Sequence, residues 1–316
     1  LYVAFGEINE ANKPSDATVW KAAADAAKAV IDLNQYQLAN NYGDLFKNDF
    51  KNKEYIFVRR YTANTNLERS NFPVSFGGEG GTCPSQNLVD DYEMLDGTPF
   101  DWNRPARAAQ PFVNRDKRLE ATILTNMASF KNKKVETFPG GADASPVPNA
   151  TKTGYYLRKF LNEDVNIQTG GSSSGHVVPL FRLAEIYLNY AEALNEYDPT
   201  NPDIAAYLNK IRNRASLPNV PSGLSQEQMR KVIQHERRIE LAFEEHRFWD
   251  VRRWKVASST LGAPVKGVKI TQDDAGNFTY SPVQVEQRVF QPKMYWYPIP
   301  QSEVLKLKQW KQNKGW

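Results

Sequence analysis

"HERRIELAFEEHRFWDVRRW", residues 235–254, holds ten acidic or basic side chains among four aromatic rings, counting neither of its histidines. Ser225 and Gln228 upstream make a capping box, so the spacing predicts a long helix from there to about Phe243. At about 100° per residue, Val232, Ile239, Ala242 and Phe243 share one face, with Glu236 among them and Glu240 near its edge. On the same wheel Arg237, Arg238, Glu244 and Glu245 point elsewhere.

Two glutamates one turn apart, with Cβ atoms about 5–6 Å from each other, invite an acid/base reading. A retaining glycosidase places its two carboxyl groups about 5–5.5 Å apart, one held protonated and the other ionised. The simpler reading is a buried pair neutralised by arginines, because an unpaired buried charge is too costly to persist. Arg182, Arg212, Arg214, Arg247, Arg252 and Arg253 are within the reach of neighbouring elements, and their pairing would depress the carboxylate pKa values and disable a general acid. The expectation is therefore that these charges pin helices together.

Upstream, Leu180, Leu183, Ala184, Tyr187, Leu188, Ala191 and Leu194 form one helical stripe from Val177 on, and a second helix is expected from Ile204 to about Ala215. Two amphipathic helices across a short Pro-containing turn form the hairpin unit of tetratricopeptide-type solenoids. A third helix, Val19–Leu33, can be capped by Ser15 or Asp16, and residues 52–62, "NKEYIFVRRYT", read as a strand. Near the C-terminus, "DDAG" at 273–276 reads as a hairpin loop, and a short helix is expected in the closing segment.

Between these helical parts lies a different texture. From Asn64 to Gly175, "FGGEGG", "DGTPFDW", "FPGG" and "QTGGSSSG" interrupt short apolar pieces, which predicts a large looped excursion. The division expected is a helical scaffold segment with a short strand at 1–63, a loop-rich lobe at 64–175 as candidate ligand-binding region, and the helical pair with the signature helix and closing segment at 176–316. The fold class is thus mainly α: a tetratricopeptide-like helical scaffold, a large irregular lobe and a few short strands.

The lobe carries the candidate site. Tyr61, Phe72, Phe76, Tyr92, Phe100, Trp102 and Phe112 stand in or beside it among Asn, Arg, Gly and Asp. Sugar rings are recognised by such sets, with aromatic faces covering pyranose C–H faces while amides, arginines and carboxylates bond the hydroxyls. The competing reading is that the rings pack the excursion onto the helices. Arg69, Phe72, Phe76 and Trp102, flanking "PSQNLVDDY", are the first choices as ligand-binding residues; Tyr61 and Asn66 are the second.

Other chemistry finds little support. The 316 residues include 40 Lys and Arg against 36 Asp and Glu, a net charge of +4, too slight a bias to indicate a nucleic-acid partner. Cys83 is the single cysteine, which excludes an internal disulfide and any Cys-x-x-Cys metal site. His176, His235 and His246 form no metal-binding spacing. "GSSSG" at 171–175 lacks the strand–turn–helix context of a nucleophile elbow and reads as a flexible linker; "GGEGG" at 77–81 lacks the end of a phosphate-binding loop and reads as loop flexibility. No cofactor is called for. No apolar run approaches the ~18–20 residues of a membrane span.

Several stretches together resemble the SusD/RagB family, surface glycan-binding lipoproteins of Bacteroidetes outer membranes. "FRLAEIYLNYAEALNE" followed by "YLNKIRNRASL" is similar to the family's paired helices, and residues 235–254 are similar to its most characteristic signature. "PSQNLVDDYEMLDGTPF", "NRDKRLEATIL" and "TGYYLRKF" match family segments in order, and "YPIPQSEVLKLKQWKQNKGW" resembles the family's ending. The usual leader, lipidated cysteine and further helices are not in this sequence. The resemblance implies a non-catalytic protein that holds oligosaccharides at the outer-membrane surface for a TonB-dependent SusC-like transporter, with a lipid anchor as its only membrane association. It transfers no sugar-contacting residue, since those lie in variable loops. Two alternatives stay open: a scaffolding protein that binds no sugar, and a glycoside hydrolase using Glu236 and Glu240.

Overall fold

The computed structural model describes residues 17–47, 50–167, 172–306 and 309–316. Helix α1 (Ala17–Asp32) lies along the central helix of the scaffold. Its contact face is built of Ala24 and Ala27, whose small side chains let the two helices approach closely. Ser15 and Asp16, the expected caps, lie outside the described residues.

Strand β1 (Tyr55–Arg60) opens the lobe, which contains the short helices α2 (Asn66–Asn71), α3 (Gln86–Asp91), α4 (Pro105–Ala109) and α5 (Lys117–Thr122). Four two-residue strands join it: β2 (Ile123–Leu124) pairs with β5 (Tyr156–Leu157), and β3 (Ser129–Phe130) pairs with β4 (Lys133–Lys134). Asn64 and Ser174 exchange backbone hydrogen bonds of 3.0 and 3.1 Å across the base of the excursion. Ser174 is buried and accepts from Asn162 Nδ2, so the described end of "GSSSG" is pinned, contrary to its reading as a linker.

Strand β6 (Val177–Arg182) pairs antiparallel with β1. A helix was expected from Val177; the segment is extended instead, as Val-Val-Pro favours, and the helical period begins only at Leu183. Helices α6 (Leu183–Tyr197) and α7 (Asp203–Arg214) then form the expected hairpin, and α8 (Gln226–Glu240) packs against both. Leu188, Ala191 and Leu194 of α6 meet Ile204, Leu208 and Ile211 of α7 and Ile233 of α8 in the main core.

The capping box forms as expected: Gln228 N donates to Ser225 Oγ at 3.3 Å and Ser225 N to Gln228 Oε1 at 2.9 Å. The helix stops at Glu240, one turn short of Phe243. Phe243 and Glu245 take left-handed φ of 63° and 66°, and α9 (His246–Arg253) restarts beyond them. This break swings Glu244, which a continuing helix would direct elsewhere, into the protein interior.

After a single helical turn, α10 (Ala257–Thr260), strands β7 (Val265–Gln272) and β8 (Phe278–Glu286) form the expected hairpin. Asp273 accepts from Asn277 across the turn, where Gly276 has φ of 86°. Val268 and Ile270 of this hairpin pack with Val89, Tyr92 and Tyr155 of the lobe and Ile239 of α8. Lobe and scaffold therefore share a core. The closing helix α11 (Gln301–Val304) is a single turn.

Candidate functional site

Glu236 and Glu240 are buried on α8, as the wheel predicted, but so is Arg237, which was expected to face outward. Arg118 Nη1 donates to Glu236 Oε1 at 2.5 Å and to Glu240 Oε2 at 3.0 Å. Arg212 holds Glu236 from the other side at 3.1 Å. Glu240 also accepts from Arg182 at 2.6 Å and Arg214 at 2.5 Å. These last two arginines share Glu54, at 2.7 and 3.0 Å, while Glu244 takes Arg182 Nε and Lys159 Nζ, each at 2.7 Å.

Burial alone would raise the pKa of Glu240, but Arg214, Arg182 and Arg118 outweigh it and hold the group well below the usual carboxylate range. A carboxyl that stays ionised between three guanidiniums cannot deliver a proton to a leaving group. The pair is buried and fully engaged. Glu240 is thus held as an ion-pair partner of arginines and not as a general acid.

The second half of the signature makes its own network. Arg237 Nε donates to Asp250 Oδ2 at 2.8 Å, Arg253 bridges Asp250 Oδ1 at 2.9 Å and Glu192 Oε2 at 2.7 Å, and Trp254 Nε1 donates to Glu192 Oε1 at 2.7 Å. Burial pushes Asp250 and Glu192 up, yet their arginines bring both below ordinary values. Of the six arginines expected to reach α8, Arg182, Arg212 and Arg214 grip its two glutamates. Arg252 instead lies over the Phe248 ring at 3.6 Å, and Arg247 makes no hydrogen bond or ion pair among the described residues. Sequence reasoning missed Arg118 and its partner Asp116, 2.7 Å away; the available signal was the charged run "RDKR" at 115–118 directly before "LEATIL".

The aromatic candidates separate. Phe72 is 0% exposed and Phe76 9%; both meet the Phe130 ring edge to face at 5.1 and 5.0 Å, inside a cluster with Leu124 and Val165. Neither has a face to offer a solvent-borne sugar, which corrects their selection. The glycine run beside them is close-packed: a Cβ on Gly78 would stand 2.2 Å from Phe72 O, and one on Gly81 2.7 Å from Ser70 O. Glycine is required there by contact, not for loop flexibility.

Tyr61 is 42% exposed with the Arg59 guanidinium 4.8 Å from its ring, and Asn66 and Arg69 are exposed at the two ends of α2. Trp102 is half-buried elsewhere in the lobe. Its Nε1 donates to Asp90 Oδ1 at 2.9 Å and its ring meets Phe100 edge to face at 5.1 Å; Arg115 lies on that Phe100 ring at 4.1 Å. No hydrogen bond, ion pair or ring contact among the described residues joins Trp102 to Tyr61, Asn66 or Arg69. An exposed pair that the sequence did not single out, Phe57 and Phe181, is stacked across β1 and β6 at 6.4 Å.

Two cavities flank the signature. One of about 660 Å³ lies where lobe meets scaffold, bordered by Lys117, Arg118, Arg158, Lys159 and Arg214. Its buried cations already serve Glu236, Glu240 and Glu244. The other, about 580 Å³, opens between the α8–α9 turn, α3 and the start of β7; Phe243, Phe248, Leu88 and Leu261 give apolar walls, and Asp90 ties it to Trp102. No group of three or more His, Cys, Asp or Glu side chains converges as a metal site among the described residues.

A tetratricopeptide-like helical scaffold whose Arg–Glu-locked signature helix carries an irregular lobe defines a class that the comparisons identify. Residues 40–316 match the SusD family, and the chain belongs to it. A SusD-like protein from Bacteroides fragilis NCTC 9343 superposes with a TM-score of 0.82 at 27% identity, over 94% of this chain and 62% of that one. A SusD-like carbohydrate binding protein from the same strain gives 0.78 at 31% identity, over 90% and 60%. SusD-like protein P25 of Formosa agariphila is 27% identical over 75% of this chain and 46% of its own length. The chain spans about half the length of the curated relatives that it matches across most of its own extent. No helix among the described residues is long and apolar enough to cross a membrane.

Proposed function

We propose that this chain belongs to a non-catalytic protein that binds oligosaccharides at the outer-membrane surface and passes them to a TonB-dependent SusC-like transporter. The observation that carries the reading is the division of labour around the signature. Glu236 and Glu240 are buried and held by arginines, which keep Glu240 ionised, while partly exposed rings remain in the lobe. The carbohydrate-binding relative from Bacteroides fragilis supports the ligand class. Membrane attachment would come from a lipid anchor.

Within the lobe, Trp102 is the leading ligand contact, with Tyr61, Asn66 and Arg69 as a second patch; Phe72 and Phe76 are withdrawn. Trp102 combines a ring with a fixed orientation, since Asp90 holds its indole N–H, and pre-set rings lose little entropy on binding. The test is a glycan-array screen of the protein beside Trp102→Ala. A sugar class bound by the parent and lost in the variant is the expected result; a parent that binds no glycan on the array would sink the reading.

A further inference from the structure

Four half-buried rings meet where the β7–β8 hairpin leans on the lobe. Phe112 meets Tyr280 at 5.2 Å, Tyr280 meets Phe278 at 6.4 Å, and Phe278 meets Phe138 at 5.0 Å. Among the described residues no ring contact skips a member, so they form a row and not a bundle. Three separate stretches supply them: the end of the loop that carries Trp102, the segment after β4, and strand β8. None of the four falls in a stretch that resembles the family's shared segments. Helix α4 lies against β8, which ties Trp102, just before that helix, and Phe112, just after it, to the hairpin.

Strand register explains why the row stays open. Ile270 pairs with Tyr280 and Gln272 with Phe278, so both rings share the face whose Val268 and Ile270 enter the core, but they stand where that core ends. Phe72, Phe76 and Phe130 show what the fold does with rings that only pack, which is to enclose them. Elsewhere exposed faces are taken by cations: Arg60 covers Phe50, Arg115 covers Phe100 and Lys293 covers Trp316. No Lys or Arg lies over any ring of the row among the described residues. One polar group stands in the row. Asn126 Oδ1 accepts from Thr137 N at 3.1 Å, which leaves its Nδ2 to donate to Tyr280 Oη at 3.3 Å. The phenol proton of Tyr280 has no acceptor among the described residues and points to a ligand oxygen.

We infer that this row is a binding platform for an uncharged oligosaccharide held along several consecutive sugar units, with pyranose faces over the rings and Tyr280 donating to a sugar hydroxyl. The inference rests on the glycan-binding reading, extends it from Trp102 to the hairpin, and narrows the ligand to neutral chains recognised along their length. Neighbouring ring centres stand about one pyranose width apart, so each added unit finds another apolar face. Apolar walls with a single well-placed polar group suit a ligand that carries no charge. The edge-to-face contacts fix the rings before the sugar arrives, which keeps the entropic cost of binding low.

The test is calorimetric titration of the protein, Phe278→Leu and Tyr280→Phe with neutral gluco-, xylo-, manno- and galacto-oligosaccharide ladders, from disaccharide to hexasaccharide, and with oligogalacturonates. Expected is a neutral ladder whose affinity rises with added units. Phe278→Leu, which keeps an apolar side chain but no flat face, should weaken the longer members roughly three- to tenfold and flatten that rise. Tyr280→Phe, which keeps the ring and its packing, should weaken binding roughly threefold through the lost hydroxyl. Urea midpoints of both variants without ligand should lie close to the parent's, so lost binding is not misfolding. Affinity that does not grow with chain length, or that survives both substitutions, overturns the platform and leaves glycan binding standing through Trp102. Oligogalacturonates bound more tightly than every neutral ladder overturn the uncharged class. No binding of any oligosaccharide overturns the platform and the glycan-binding reading together.

Discussion

Around α8 the interior is organised by charge, whereas in the lobe from Asn64 to Gly175 it is organised largely by rings. In the first region Arg118, Arg182, Arg212 and Arg214 converge on Glu236, Glu240 and Glu54 from α5, from the end of β6 and from α7. In the second, Phe72, Phe76 and Phe130 interlock edge to face over strands only two residues long. A charge network demands that every member be present, because each removal strands its partners in a low-dielectric interior. A ring cluster loses area and packing locally. The lobe can therefore vary its exposed loops, while the signature cannot vary its charges without disturbing several elements.

The largest expected effect breaks the charged side. Glu240→Ala removes the partner shared by Arg118, Arg182 and Arg214, and should cost about 3–5 kcal/mol in urea unfolding. A cost under about 1 kcal/mol would mean that the arginines find water or other carboxylates and that the network is not what joins lobe to scaffold. On the ring side, Phe72→Ala should cost about 3–4 kcal/mol, set by transfer and cavity terms. Because Phe72 is enclosed, sugar binding per folded molecule should stay at the parent level. A specific loss of binding at unchanged stability would restore it as a ligand contact.

The same contrast explains which parts of the molecule could be read from sequence. Local chemistry was legible: Ser225 and Gln228 cap α8, Asp273 to Gly276 turn the β7–β8 hairpin, and the α6–α7 hairpin follows from its apolar stripe. Arg118 was not, since its partners lie 118 and 122 residues along the chain and no periodicity links them. The aromatic choices divided for another reason. Phe72 and Trp102 stand in similar loop sequence, and ring type does not reveal which will be enclosed by Phe130 and which will remain half-open against Asp90. Arg247 and Arg253, equally basic in the signature, likewise end in opposite situations, one beside an open cavity and one between Glu192 and Asp250.

The smallest effect expected concerns pH and separates the two regions by their titration, because the paired acids and His246 belong to the scaffold. Burial first, and then Arg237, whose Nη2 is 3.5 Å from the ring nitrogen Nδ1, bring the pKa of His246 down to about 4 from an ordinary value of 6.5. The unfolded chain takes up this proton near 6.5 and the folded chain only near 4, so stability falls as pH drops through that window. The loss is bounded at roughly 3 kcal/mol by the size of the shift. Glu240, Glu244, Glu192 and Asp250, all held below their ordinary values, extend it at more acid pH, since their stabilisation is present above their unfolded pKa values and is lost as pH falls through the folded ones. Glu185, 3.8 Å from His246 and raised by burial, acts in the opposite sense and shallows the slope. Urea midpoints measured from pH 7 to 4 should therefore decline, and His246→Gln should flatten the stretch between 6.5 and about 4 while leaving the steeper acid limb in place. A variant whose profile superposes on the parent across that stretch would show that the histidine titrates alike in both states, and would assign the whole acid response to the arginine-held carboxylates.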